Sequence, residues 1–205
     1  PTSETSPSVG TVGAVPPTSI AVLPFVNMSS DTEQEYFSDG ISEEILNVLA
    51  KIPDLHVTSR SSAFTFKGSN KDIPEIAEAL GVANVLEGSV RKAGARVRIT
   101  AQLIEAGSDK HLWSETYDRE LTDIFAVQDE ISVAIVEALK ATLGIEIAVP
   151  KKVAHTLNTE AHDAFLMGRH LFETRTEPNL KSAQRYFERA VALDPKYAQA
   201  WAELG

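Results

Sequence analysis

Residues 85–120 read "VLEGSVRKAGARVRITAQLIEAGSDKHLWSETYDRE". The middle run alternates. Val97, Ile99, Ala101 and Leu103 fall on one side; Arg96, Arg98, Thr100 and Gln102 fall on the other. Period-two alternation of this kind marks a strand with one buried face. "KAGA" and "GSDK" are turn signals on either side of it. The stretch therefore predicts three strands in a hairpin meander. In the third, Trp113, Glu115 and Tyr117 share a side.

Upstream, the apolar run Ile20 to Leu23 ends at Pro24 and suits a buried strand. "DTEQEYFSDGISEEILNVLAKIPD" places Ile41, Ile45, Val48, Leu49 and Ile52 at helical spacing, with Asp31 and Thr32 as candidate caps and Pro53 as a stop. Leu55 to Arg60 reads as a second strand. Asp72 and Glu75 form a capping box for a short helix with Pro74 in its first turn and Gly81 at its end. Downstream of the meander, residues 122–144 read as a long helix whose core face is Ile124, Val127, Ile131, Ala134, Ile135, Ala138 and Leu139. The order is βαβαβββα. It predicts an α/β domain over residues 20–144: a mixed sheet with packed helices.

Residues 1–19 are rich in Pro, Ser and Thr and read as a disordered linker. Residues 145–157 read as a second linker. From residue 158 the pattern becomes helical. Ala183, Phe187, Ala190, Pro195, Trp201, Leu204 and Gly205 fall in phase with the tetratricopeptide repeat, whose period is about 34 residues. Gly168 fits as the first-helix glycine, and "ETRTEP" is expected to be a long loop between the two helices. Such repeats need about three units for stability, so the protein is expected to continue past Gly205.

Bulk properties narrow the function. The 205 residues are 43% hydrophobic and 23% charged, with a formal net charge of −10. That balance disfavours nucleic-acid binding by this segment. The absence of cysteine excludes disulfides and thiolate metal sites. No apolar run approaches the roughly 18 residues of a membrane span. No phosphate loop, dinucleotide fingerprint or nucleophile elbow is present. The five histidines lack metal-ligand spacing. No catalytic residue, cofactor or metal site is therefore assigned.

Three groups of residues are candidate binding surfaces. Glu35, Asp39 and Glu43 recur every four positions on one helix face. They would meet a cation or basic partner, or else form a solvated face. Arg91, Arg96 and Arg98, with Lys92, cluster on the hairpin; they suit an anionic partner, or a solvated face that discourages edge pairing. Trp113 and Tyr117 form an aromatic platform, or pack into the sheet.

With this order in view, residues 20–144 resemble the TolB-like amino-terminal domain, related to the FlgO family. The stretches that carry the resemblance are "SIAVLPFVNMSSD", "EYFSDGISEEI", "VTSRSSAFTFKG", "VLEGSVRKAGARVRITAQLI" and "HLWSETYDRELTDIFAVQDEI". The resemblance implies a TolB-like fold followed by tetratricopeptide repeats. It also implies a bacterial signalling parent with a winged-helix, adenylate cyclase or kinase domain, often beyond a transmembrane helix. This segment would then be a non-enzymatic sensory or scaffold module on the extracytoplasmic side, with a cytoplasmic location as the alternative. Its partners would be a protein or peptide on the repeats and a small ligand on the α/β domain. Self-association and a structural role in the cell envelope stay open as alternatives. A stand-alone hydrolase using Glu35, Asp39 and Glu43 would require buried carboxylates with raised pKa values.

Overall fold

A computed structural model describes residues 15–31, 34–144, 156 and 158–205. The strands are β1 (Ser19–Val22), β2 (Val26–Asn27), β3 (His56–Val57), β4 (Asn84–Ala93), β5 (Arg96–Glu105) and β6 (Lys110–Glu120). The helices are α1 (Glu35–Leu49), α2 (Arg60–Ala63), α3 (Ile73–Leu80), α4 (Ile124–Leu143), α5 (Thr159–Glu173), α6 (Glu177–Leu193) and α7 (Ala198–Leu204). The sheet order is β3-β1-β4-β5-β6, with β2 beside β4. β1 runs parallel to β3 and β4, and β4-β5-β6 are antiparallel.

Parallel strands need crossover helices, and these cover both faces of β1. Ile20 and Val22 point into one core with Ile41 and Ile45 of α1 and Ile131 and Ile135 of α4. Ala21 and Leu23 point into a second core with Ile76 and Ala77 of α3. The alternation of β5 is as expected: Val97, Ile99, Ala101 and Leu103 are buried. The capping box at Asp72 and Glu75 forms, and Gly81 ends α3 with a φ of 66°.

Several boundaries differ from the sequence reading. Ser19 belongs to β1 rather than to a linker: its hydroxyl accepts from the Ala83 N–H, and Asn84 holds the Pro17 carbonyl. Residues 1–14 lie outside the described residues. α1 starts at Glu35 with Gln34 at its N-cap and no side-chain cap, so Asp31 does not cap it; Thr32 lies outside the described residues. The strand expected over 55–60 shrinks to two residues, because the Ser59 hydroxyl caps α2. β2 is an addition to the expected order. The loop between α5 and α6 is short, not the long "ETRTEP" segment: α6 begins at Glu177, because Pro178 suits a first helical turn and Arg175 makes the bend with a φ of 50°.

Of the expected linker 145–157, residues 145–155 and 157 lie outside the described residues. Thr156 is buried and donates to Asp194 Oδ2 at 2.5 Å. The core does not stop there. Ala161, Ala164, Phe165 and Leu166 of α5 belong to the same cluster as Ile41 and Ile45. Within the α5–α6 hairpin, Ala183, Phe187 and Ala190 are buried, and the Phe165 ring lies 6.0 Å from Phe187 and 5.0 Å from Tyr197. Leu204 is half-buried; Pro195 and Gly205 are exposed. Trp201 lies on α7, the last helix described. It is 52% exposed, and its indole N–H donates to the Pro195 carbonyl at 3.0 Å.

Gly168 lets the hairpin close. A Cβ there would come within 2.6 Å of Phe187 Cε1 and 2.8 Å of Cδ1. Gly168→Ala should destabilise the protein by about 1–2 kcal/mol in urea unfolding, because overpacking against the ring outweighs the gain in helix propensity.

Candidate functional site

Because β1 lies between β3 and β4, the chain turns to opposite sides of β1 for its next two long connections. In such sheets the crevice beyond the carboxyl ends of the parallel strands is the usual ligand site. Here the crevice is a cleft of about 600 Å³ lined by Pro24, Phe25, Val26, Asn27, Glu35, Lys67, Gly68 and His170. Its floor is fixed to α1: the Phe25 N–H donates to Ser42 Oγ at 2.8 Å, and that hydroxyl donates to the Ser38 carbonyl at 2.8 Å.

One wall of the cleft is the acidic face of α1. It is not solvated. The Asp39 and Glu43 side chains are only 10% and 8% exposed, while Glu35 at the cleft mouth is half exposed. α5 covers this face. Gly40 permits the approach, since a Cβ there would lie 2.6 Å from Leu166 Cδ2. Side chains from the segment between β3 and α3, from α5 and from α4 meet these carboxylates. Lys67 Nζ meets Asp39 Oδ2 at 2.6 Å and Glu35 Oε1 at 2.8 Å. Arg60 Nε meets Glu43 Oε2 at 3.0 Å, and its Nη1 meets Glu173 Oε2 at 3.1 Å. Arg169 of α5 pairs with Glu43 on the other side. His162 Nε2 lies 2.8 Å from Glu44 Oε1, and Gln128 of α4 donates to the same carboxylate. At the far end, Tyr36 and Lys92 both donate to Asp163, each at 2.8 Å.

The ionisation of these groups follows from their partners. Burial pushes the Asp39 carboxyl up, but His170 and Lys67 pull it down further, and it ends below the usual carboxylate value. His170 Nδ1 stands 3.8 Å from Asp39, so the two short Lys67 contacts carry most of that effect. Burial raises the Glu43 carboxyl, and Arg169 and Arg60 only partly offset it. Burial lowers Lys67, yet its bonds to Asp39 and Glu35 win and raise it. A nucleophilic or general-base lysine needs the opposite shift. Lys67 is thus a fixed ammonium, suited to binding rather than to covalent chemistry. Glu43 meets the raised-pKa requirement of the hydrolase reading and Asp39 does not, and both Glu43 oxygens are held by guanidinium groups.

The other expected surfaces are mostly engaged. Arg96 and Arg98 both pair with Asp118 on the neighbouring strand, each at 2.5 Å. Hydrogen bonds from Arg98 and Arg96 hold the exposed Asp118 carboxyl low. Arg91 donates to the Met28 carbonyl at 3.0 Å. The aromatic platform does not form: Tyr117 is buried, and Trp113 is half-buried against the core. Trp113 pairs with Leu103 in the same register in which Tyr117 pairs with Ile99, and the ladder slips only beyond it, between Leu103 and Ile104. Sequence reasoning missed Lys67, Arg60, Arg169, His162 and His170, because they reach α1 from segments far apart in the chain. Among the described residues, no group of three or more His, Asp or Glu side chains is placed to hold a metal ion. No helix among them is long and apolar enough to cross a membrane.

Residues 17–134 match the model of a HilA/YgeH-like transcriptional regulator, second domain. The chain belongs to this family. The match covers the sheet, α1 to α3 and the first half of α4; the α5–α6 hairpin lies outside it. The chain is also 44% identical over 186 residues to a protein named "Putative adenylate cyclase 3" from Rhizobium meliloti (strain 1021). That alignment covers 91% of this chain and 32% of the relative, so the chain spans about a third of the length of the curated relative it matches. Among solved structures, TolB from Acinetobacter baumannii is similar at a TM-score of 0.45 and 18% identity, covering 60% of this chain and 28% of that one. Lipoprotein GNA1162 from Neisseria meningitidis is similar at a TM-score of 0.42 and 22% identity, covering 50% and 80%.

Three outcomes follow from the seam between α1 and α5. A group with a lowered folded pKa stabilises the fold above its unfolded value and loses that contribution as pH falls through the folded value. Asp39→Asn should therefore cost about 2 kcal/mol at neutral pH, and its difference from wild type should vanish in urea titrations carried down to about pH 2. Glu43 runs the other way: its raised value means stability is greatest when it is protonated and is lost as pH rises through the folded value. Glu43→Gln should cost less than Asp39→Asn at pH 7. Separately, Gly40→Ala should destabilise the wild-type protein but not the Leu166→Ala background, a coupling that a double-mutant cycle reads directly.

Proposed function

We propose that this chain is the non-catalytic sensory and scaffold part of a bacterial signalling protein. The α/β domain receives a ligand or protein partner in the cleft beyond β1. The α5–α6 hairpin is the first unit of a tetratricopeptide array, whose concave face takes a protein or peptide. The regulator family and the cyclase-named relative support a signalling role. The close packing of Gly168 on Phe187, with Ala183 and Ala190 buried, supports the repeat reading.

One observation carries the proposal. His170 belongs to the hairpin, yet it lines the cleft together with Lys67 and Glu35 of the α/β domain. A ligand that recruits Lys67 or His170 necessarily competes with their contacts to Asp39. Occupancy of the cleft thereby alters the seam that holds the hairpin. The effector domain lies elsewhere in the parent, as an adenylate cyclase, kinase or winged-helix domain, and this module sits on the extracytoplasmic side of the inner membrane.

The test is effector output in the full-length natural protein. With a cyclase effector, cyclic AMP formation should change several-fold on Lys67→Met or Asp39→Asn, while residues 1–205 alone form none from ATP. Turnover of ATP by the isolated chain, or output indifferent to both substitutions, would contradict the proposal.

A further inference from the structure

β6 is the last strand of the sheet, and among the described residues no strand pairs with its outer side. The Leu121 N–H donates to the Ala95 carbonyl at 2.7 Å. Antiparallel ladders alternate, so Arg119, Tyr117 and Glu115 exchange their backbone bonds with Val97, Ile99 and Ala101. The N–H and C=O groups of Ser114, Thr116 and Asp118 therefore point outward from the sheet. Beside them runs a groove of about 450 Å³ between β6 and α4, lined by Glu115, Tyr117, Ala126, Asp129, Val133 and Ala134, with Glu130 at its rim. An open strand edge next to a helix with a small apolar floor is the geometry that captures an extended peptide as an added strand.

The charges select the peptide. Glu115, Asp129 and Glu130 are all acidic. Arg119 meets this rim, 3.6 Å from Glu130, with both side chains about half exposed. Tyr117 contributes only a hydroxyl, which donates to Glu115 Oε2 at 3.0 Å. We propose that the β6 edge and the α4 groove dock a basic, extended segment of a partner protein. Its backbone pairs with Ser114, Thr116 and Asp118. Its small or β-branched side chains rest on Val133 and Ala134, and its Lys or Arg side chains meet Glu115, Asp129 and Glu130. The same charges disfavour a second copy as the occupant. Antiparallel pairing of two β6 edges about a twofold axis would keep both α4 helices on one face and set two acidic grooves side by side. This site is separate from the cleft beyond β1 and does not depend on the role assigned to it.

The test uses the whole chain and a fluorescent peptide of about nine residues alternating Lys and Val, read by anisotropy. The expected result is saturable binding that weakens with added salt. Thr116→Pro removes an outward N–H without breaking the ladder, and should weaken binding about tenfold or more. Thr116→Val loses the same hydroxyl contact to Thr100 but keeps the N–H, and should bind like wild type. Circular dichroism checks that both variants fold. A Glu115→Gln, Glu130→Gln double variant should weaken binding and flatten its salt dependence. Absence of binding, equal binding of a Glu–Val peptide, or binding unaffected by Thr116→Pro would overturn the proposal. So would a dimer in light scattering that Thr116→Pro dissolves, which would assign the edge to a second copy.

Discussion

Four carboxylates on α1, those of Glu35, Asp39, Glu43 and Glu44, face away from the sheet, and all but Glu35 are buried. Buried charge is costly unless it is paired and hydrogen-bonded. The rest of the architecture follows from how that cost is met. Lys67 and Arg60 come from the segment between β3 and α3. Arg169, His162 and His170 come from α5. Gln128 comes from α4. No single element could neutralise the helix, so α1 becomes the place where the α/β unit and the helical hairpin are joined. Gly40 supplies the space and Leu166 fills it, so apolar packing and ion pairing act along the same seam. A seam of this kind specifies one docking geometry as well as contributing stability, because a slip by one helical turn would leave several charges unmatched.

The seam and the cleft share atoms. Lys67 holds Asp39 through both carboxylate oxygens, and it also lines the crevice beyond β1. His170 reaches that crevice from the hairpin. A group bound in the crevice would therefore be read by two structural units at once. The ionisation of Lys67 argues for recognition rather than reaction: its two carboxylates keep it charged, and a charged amine is neither a nucleophile nor a base.

Much of the α/β unit was legible in the sequence, for identifiable reasons. The alternation in β5 is set by one buried face. The capping box at Asp72 and Glu75 and the stop at Gly81 are local and need no tertiary information. The core stripe of α1 is periodic. The errors share a cause as well. The acidic face of α1 looks solvated when α1 is read alone, and only α5, more than a hundred residues later in the chain, reveals it as an interface. Ser19 looked like linker because its partners, Ala83 and the Pro16 carbonyl, lie outside its own strand pattern. Ser59 ended β3 early through a cap that competes with strand pairing. Tyr117 and Trp113 were placed on the right strand, but their burial depends on packing against the core and α4, which no local pattern announces.

The most direct measurement is native-state hydrogen exchange across the whole chain, comparing Leu166 and Phe165 in α5 with Ile99 and Leu103 in β5. If the seam makes one cooperative unit, the slowest amides of both elements open with the same free energy, equal to that of global unfolding. If instead α5 and α6 exchange through a lower-energy opening while β5 stays protected, the hairpin is an independent unit and the coupling across the seam does not exist.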